Sequence, residues 1–412
     1  MVNYRSFQNE RKKTKFNRKG DKMASELSYV LITPYSLRKS RTGGIITRLL
    51  FRTGLELAGA QIITPDYETC AAFADSIRRQ IGKTDEVTAK IFSDYVMDNF
   101  TPLPDGKKAR LMLLLFRGED ACRRLYSVVG GLPTSKNRKG SLAGETIRDT
   151  YCDLVYNRDG SLQYFEPAVF TPPDAEGARE RLAILAKFLK GQENIVSGTI
   201  ESVPGVERTL AIIKPDNWNR PSVRPGGIID MFSRTSLRIM GCKVYRMSVA
   251  QALDFYGPVK ETLRKKLSGK IGEEALEILE EHFGIELSDE SAEVLAKTIG
   301  TEFADDQFNR IVGFMSGRRP DQCPESELDK PGLVKCMALV YEGKDAIRKI
   351  REVLGPTDPT KAPEGTVRRE FGTDVMVNSA HASDSKTSYE RESQVIRIDE
   401  NDLAEIIEDS LK

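Results

Sequence analysis

Histidine is the scarcest titratable residue in this chain, with two in 412 residues. Six cysteines (Cys70, Cys122, Cys152, Cys242, Cys323 and Cys336) are scattered without a Cys-x-x-Cys pair. Together these leave no thiol–imidazole cluster to hold a metal, and they suit a reduced, cytoplasmic compartment. No run of eighteen apolar residues occurs, so no membrane-spanning helix is expected. The charged N-terminus lacks the apolar core of a secretory signal. The phosphate loop G-x-x-x-x-G-K-[ST] is also missing.

What is present reads as a soluble globular chain. Hydrophobic residues make up 39% and charged residues 30%, ordinary values for folded domains, and the length suits two or three of them. The net charge of +1 is uneven, because residues 1–22 carry eight Lys and Arg against Glu10 and Asp21. Residues 1–25 are therefore read as a disordered basic tail, with Met23-Ala24-Ser25 resembling a natural start. A basic arm touching nucleic acid is the alternative. The rest of the chain is near neutral, which argues against a nucleic-acid protein.

The chain repeats itself. "ELSYVLITPYSLRKSRTGGIITRLL" from Glu26 parallels "ERTLAIIKPDNWNRPSVRPGGIIDMF" from Glu207. In each, an apolar run ends at x-Pro, a polar loop follows, and Gly-Gly-Ile-Ile opens a helix. "ARLMLLLFRGEDACRRL" then parallels "VKCMALVYEGKDAIRKI", and "GETIRDTY" parallels "EGTVRREF". Pro34 to Pro215 is 181 residues but Gly118 to Gly343 is 225, so the second copy carries 44 extra residues. These are placed between Tyr256 and Phe308, about 262–305, where "GEEALEILEEHFGI" and "DESAEVLAKTIG" show helical spacing. His282 lies there beside Glu280 and Glu281 and is read as a solvated surface residue.

Each copy reads as strand, helix, strand, helices, strand, helix, loop and last strand. The expected fold is α/β (α+β): two ferredoxin-like split β-α-β sandwiches with antiparallel sheets, the second with a helical insertion. The first covers residues 26–195 and the second 207–398. A linker, 196–206, contains the Pro-Gly break of "ESVPGV". The acidic amphipathic stretch 399–412 is expected as a helix that packs on a neighbour or frays.

Polar residues suited to polyphosphate gather in the second copy. Lys214 ends the apolar run "AIIKPD", and Pro215 is expected to stop that strand at the sheet's edge. Arg351 precedes "EVLGPTDP", which holds Thr357, and Arg368 lies one turn into a helix in "EGTVRREF". Arginine forks and a lysine point charge match phosphate oxygens. The second histidine, His381, sits in "VMVNSAHASDS", between a strand-like run (Thr373 to Val377) and a helix opening at Asp384-Ser385. Without a phosphate loop, a neutral imidazole can serve as a nucleophile toward a γ-phosphoryl group. It needs a partner on its other ring nitrogen, and Glu392, eleven residues on, is a candidate. The bland alternative for His381 is a satisfied buried histidine.

The segments "ERTLAIIKPD", "REVLGPTDP", "EGTVRREF" and "NSAHASDS" together resemble the nucleoside diphosphate kinase family. The spacings agree, with 13 residues from Arg368 to His381 and 11 from His381 to Glu392. The resemblance covers roughly 207–398, and more faintly 26–190. It implies phosphoryl transfer from a nucleoside triphosphate such as ATP to a nucleoside diphosphate, through phospho-His381. Lys214 and Asn378 would contact the phosphoryl group and sugar, with Tyr256 nearby. Arg351, Thr357 and Arg368 would hold the β- and γ-phosphates, while Phe308 and Val375 would sandwich the base. Glu392 would orient His381 and Ser383 would brace Glu392. Mg²⁺ would bridge the nucleotide phosphates without a protein cage. The family builds its oligomers from dimers, so the two copies are expected to pair within one chain, and chains to assemble further.

Some positions depart from the family pattern. Ala382 replaces a glycine after the histidine, "DNWNRP" replaces a more regular loop, and "FYGPVK" around Tyr256 also differs. In the first copy, Thr33 stands where Lys214 does. "EPAVFT" replaces "NSAHAS", so Val169 or Phe170 takes the histidine's place, while Arg148 and Glu180 survive by alignment. The first copy is therefore read as inactive, a packing partner rather than a regulatory nucleotide site. The rival reading for the whole chain is a non-catalytic nucleotide-binding pseudokinase scaffold.

Overall fold

The computed structural model describes residues 25–132, 144–159, 162–199 and 204–412. The basic tail up to residue 24, and residues 200–203 of the linker, lie outside them. Two four-stranded antiparallel sheets organise the chain.

The first half runs β1 (Glu26–Ile32), α1 (Pro34–Arg38), α2 (Thr42–Thr53), β2 (Glu56–Ile63), α3 (Tyr67–Ile81), α4 (Glu86–Phe100) and β3 (Leu111–Gly118). It continues with α5 (Ala121–Val129), α6 (Ile147–Tyr151), β4 (Asp153–Tyr156), β5 (Leu162–Glu166), β6 (Val169–Phe170) and α7 (Ala175–Leu189). The second half runs β7 (Val206–Ile213), α8 (Arg224–Ser233), β8 (Arg238–Tyr245), α9 (Val249–Phe283), α10 (Asp289–Leu295), α11 (Thr301–Ser316) and β9 (Cys336–Lys344). It ends with α12 (Ala346–Leu354), α13 (Val367–Phe371), β10 (Ala380–Ala382), α14 (Lys386–Ile396) and α15 (Leu403–Leu411).

The strand orders are β2-β3-β1-β6 and β10-β7-β9-β8. Both are the ferredoxin-like order, with the first and third strands of each copy central. The apolar runs are buried on both faces. Side chains alternate along a strand, so Val30 and Ile32 join one core while Tyr29 and Leu31 join another. Both copies carry the same register shift in the second strand, at Leu57/Gly59 and Ile239/Gly241. The β4–β5 hairpin has no counterpart in the second half and was not anticipated from sequence.

The repeated Gly-Gly has a packing reason. A Cβ on Gly43 would sit 2.5 Å from the Gly226 carbonyl oxygen, and one on Gly226 would sit 2.5 Å from that of Gly43. Glycine allows α2 and α8 to bring their backbones together across the two halves. Lys335 adds a link, its Nζ donating to Leu57 O at 2.7 Å and Glu56 Oε1 at 3.0 Å. The ends of the halves cross over. Asn194 Nδ2 donates to Ile398 O at 2.6 Å, and the Val196 amide to Met240 O at 2.9 Å. The acidic C-terminal helix α15 packs on the first half, with Leu403 and Ile407 buried in that core.

Several expectations need correction. The insertion does not lie wholly between Tyr256 and Phe308, because the loop 317–335 also exceeds its counterpart, 101–110. α9 runs for 35 residues, straight through Pro258. Proline deprives the carbonyl four residues earlier of its partner. Arg391 supplies a replacement, Nη1 donating to Asp254 O at 3.1 Å and Nη2 to Phe255 O at 3.0 Å. The returning arm of the hairpin packs closely through Gly272 against Ala296 and Gly300 against Ser268. Residues 373–377 form a turn rather than a strand, with Asp374 Oδ1 accepting from the amides of Met376 and Val377, each at 2.8 Å. The short strand β10 contains His381 itself. Lys214 directly follows β7, a central strand, so it sits beyond a strand end and not at the sheet's edge. Arg368 is the second residue of the five-residue α13, not a turn into it. Among the described residues, no helix is long and apolar enough to cross a membrane.

Candidate active site

The ends of β7 and β10 form the floor of the site. β10 pairs antiparallel with β7, His381 opposite Ile212 and Ala382 opposite Ala211. The chain turns into β10 through Ser379 at φ 70°, a left-handed conformation unusual for a residue with a Cβ. That turn is held by Asn217 Nδ2 donating to Ser379 O at 2.8 Å and by Arg224 Nη2 donating to Ser379 Oγ at 3.2 Å. Ala382 lies in ordinary extended backbone, so the missing glycine imposes no strain there.

His381 is part-exposed, and its Nε2 lies 2.9 Å from Glu392 Oε2. Ser383 Oγ donates to the same carboxylate oxygen at 2.7 Å. Glu392 is 5% exposed and reaches the strand from α14. A carboxylate can only accept, so Nε2 carries the proton and Nδ1 keeps its lone pair. Phe255 and Tyr256 meet the imidazole edge-on, with ring centroids at 5.1 and 6.2 Å.

The cations lie beside this group. Lys214 Nζ donates to Asn378 Oδ1 at 2.7 Å. Asn378 in turn gives Nδ2 to Val375 O at 2.7 Å and to Thr357 O at 3.3 Å. Burial, and then the Arg368 guanidinium, pull the Lys214 ammonium down to about 8. Arg368 donates Nη1 to Gly355 O at 2.9 Å and Nη2 to Ala380 O at 3.3 Å. Burial, with Arg351 second, lowers it to about 10. Its Nε and the Tyr256 hydroxyl are buried without a protein partner. Buried donors of this kind are rare unless water or a ligand completes them.

Other predicted residues are less closely joined. Arg351 and Thr357 are exposed. Phe308 is 3% exposed within the core, with Lys260 Nζ 5.6 Å above its ring, whereas Val375 is 62% exposed. No described contact pairs Phe308 with Val375, and protein covers the Phe308 ring. His282 is exposed at the far end of α9. Sequence reading missed Arg224, which binds Asp216 and Asn217 as well as the Ser379 loop. The one available signal was a charged residue before proline at a helix start. Burial raises the Asp216 carboxyl above its ordinary range.

The first half shows what the same frame holds without this chemistry. Ile32 pairs with Val169 and Leu31 with Phe170, just as Ile213 pairs with Ala380 and Ile212 with His381. Phe170, not Val169, therefore stands in the histidine's place. Thr33 donates to Glu166 Oε1 at 2.7 Å. Arg148 repeats Arg368, with Nη1 on Gly130 O at 2.6 Å and Nη2 on Val169 O at 3.1 Å. Counting from the caps Asp174 and Ser385, the counterpart of Glu392 is Arg181. Glu180 faces outward to Arg79, so the carboxylate does not survive in the first half.

A family model described as nucleoside diphosphate kinase matches residues 332–400. Proteins named nucleoside diphosphate kinase from Halorhodospira halophila and Hyperthermus butylicus are each 31% identical to this chain, over 187 and 195 residues. These matches cover 45% and 47% of this chain and 89% and 94% of those proteins. Another, from Beijerinckia indica subsp. indica, is 54% identical over 180 residues, or 44% of this chain and 85% of that protein.

Proposed function

Since the chain belongs to the nucleoside diphosphate kinase family, we propose that its second half transfers the γ-phosphoryl group of a nucleoside triphosphate to a nucleoside diphosphate by a ping-pong route through His381. The observation that carries this is the 2.9 Å bond from His381 Nε2 to Glu392, because it leaves Nδ1 as the nucleophile. In the first half-reaction, the Nδ1 lone pair forms a bond to the γ-phosphorus. The bond to the β-bridging oxygen breaks, and the diphosphate leaves. In the second, a terminal oxygen of an incoming diphosphate attacks the same phosphorus and the P–N bond breaks, returning the pair to Nδ1. Glu392 holds the Nε2 proton throughout and offsets the positive charge of the phosphoimidazole.

Lys214, Arg368 and Arg351 would face the negative charge on the phosphoryl oxygens, as preorganised charges that need no rearrangement. Asn378 fixes Lys214, and the unpartnered Tyr256 hydroxyl and Arg368 Nε are donors a phosphate can complete. Thr357, Val375 and Phe308 are proposed to line the nucleotide's path, and Phe308 must shed Lys260 to stack. Among the described residues, no group of three His, Cys, Asp or Glu could hold a metal. Mg²⁺ is proposed to enter bound to the nucleotide's phosphates, where it neutralises charge.

The two halves, 26–195 and 207–398, are proposed to form a pseudo-dimer. Supporting this are the glycine contact of α2 with α8 and the crossover of both C-terminal ends. The test is incubation with γ-labelled ATP. Wild type should retain acid-labile, base-stable label, and His381→Ala should retain none. Label kept in that variant would overturn the mechanism.

A further inference from the structure

The first half contains a cavity of about 840 Å³ bordered by Phe73, Phe92, Tyr126, Arg148, Phe170 and Arg181. It lies where the second half has Arg368, His381 and Glu392. Its electrostatics are unusual. Arg148 and Arg181 are 4% and 2% exposed. Arg181 gives Nε to Tyr29 Oη at 2.9 Å, Nη2 to Gln80 Oε1 at 2.6 Å and Nη1 to Ser76 Oγ at 3.5 Å. Arg148 bonds only carbonyls, its Nε has no partner, and Phe92 lies 5.0 Å from its guanidinium carbon. Among the described residues, neither arginine has a carboxylate within ion-pair distance. Buried charges without a counter-ion are costly. The acids on the rim do not pair with either arginine: Asp174 caps α7 and accepts from Gln80, and Asp85 and Glu176 share the lining with Lys83.

Among the described residues, the groups that would hold a polyphosphate in the second half are replaced. Thr33, Tyr126 and Leu132 stand where the second half has Lys214, Arg351 and Thr357. The walls are instead aromatic. Phe170 meets Phe92, Phe100 and Tyr95 at 5.2, 5.2 and 5.8 Å between ring centroids. Phe170, in the histidine's place, cannot accept a phosphoryl group. We infer that the first-half cleft binds an organic monoanion carrying a flat apolar ring, held by Arg148 and Arg181 against the aromatic wall and released unchanged. This does not depend on the transfer reading for the second half.

The test is a fluorescence titration of the full chain with 8-anilinonaphthalene-1-sulfonate, an aromatic monoanion. Saturating ADP and Mg²⁺ would fill the second-half cleft. One saturable site per chain is expected, with Kd raised at least tenfold by Arg181→Gln. Should that variant fail to fold, Tyr126→Glu decides. Tyr126 is 39% exposed at the mouth, so the substitution spares the core while placing a negative charge at the entrance, and the same tenfold weakening is expected. Absence of saturable binding would overturn the inference. So would unchanged affinity in Tyr126→Glu, or a saturable site seen without ADP and Mg²⁺ that disappears when they are present.

Discussion

The two halves share strand order, the shift in the second strand, the glycine at the inter-half contact, and an arginine clamped on two backbone carbonyls. They differ in what surrounds that arginine. The second half has an imidazole bonded to a carboxylate and a lysine–asparagine pair. In the first, Phe92 lies over the arginine, Phe170 stands for the imidazole and an arginine for the carboxylate. The fold therefore needs the clamp, because Arg148 and Arg368 both tie the loop after the preceding helix to the last strand. It does not need the histidine, whose place Phe170 fills in the first half. Scaffold and chemistry are carried by separate sets of residues, and one set can change while the other stays.

The most severe way to break the contrast is to copy the first half into the second. His381→Phe should remove phosphoenzyme and lower kcat by roughly 10⁴-fold or more, as loss of a nucleophile does, measured by coupled assay with ADP as acceptor. Survival of transfer would mean another residue takes the phosphoryl group. Arg368→Ala should slow transfer by roughly 10²–10³, the usual loss for one electrostatic stabiliser. Arg351→Ala should fall in or below that range, since it stands exposed. Glu392→Gln keeps a hydrogen-bond acceptor on Nε2 but loses the charge, so a loss of roughly 10–100-fold is expected.

Lys214 sharpens the comparison through pH. With its ammonium titrating at about 8, kcat should fall as pH rises through that value. A flat profile from pH 7 to 9.5 would contradict this. The folded pKa lies below the unfolded one, so between about 8 and 10.5 the unfolded chain binds more protons. This residue's contribution to stability therefore rises with pH in that window. Lys214→Met, which removes the buried charge while keeping a long side chain, should raise stability at pH 7 by about 1–3 kcal/mol, seen as a higher Tm, while suppressing transfer. The smallest effect is expected from Phe170→His. With Thr33 in place of the lysine and Arg181 in place of the orienting carboxylate, the new imidazole should take up no label and leave the rate unchanged.

Much of the site was legible because its residues are ordered along the chain at fixed offsets. The intervals from Arg368 to His381 to Glu392 survive without any three-dimensional information, and the repeat of apolar runs and Gly-Gly-Ile-Ile announced two similar halves. What was illegible depended on partners distant in sequence. Nothing near Arg391 shows that it completes a carbonyl freed by Pro258. Nothing near Arg224 shows that it braces the loop at Ser379. The acidic helix at the C-terminus declared its amphipathic face but not which half that face would cover.

The sequence by itself determined the alternation of strands and helices, marked His381 as the candidate nucleophile and showed that the first copy has no histidine to match it, because residue type and spacing are local properties. Only the tertiary structure decided that Phe170 rather than Val169 stands for His381, and Arg181 rather than Glu180 for Glu392. Alignment leaves a one-residue ambiguity there. Strand pairing does not, because a shift of one residue turns every side chain of a strand to the opposite face, and the bonds of β6 to β1 and of β10 to β7 permit a single register in each half.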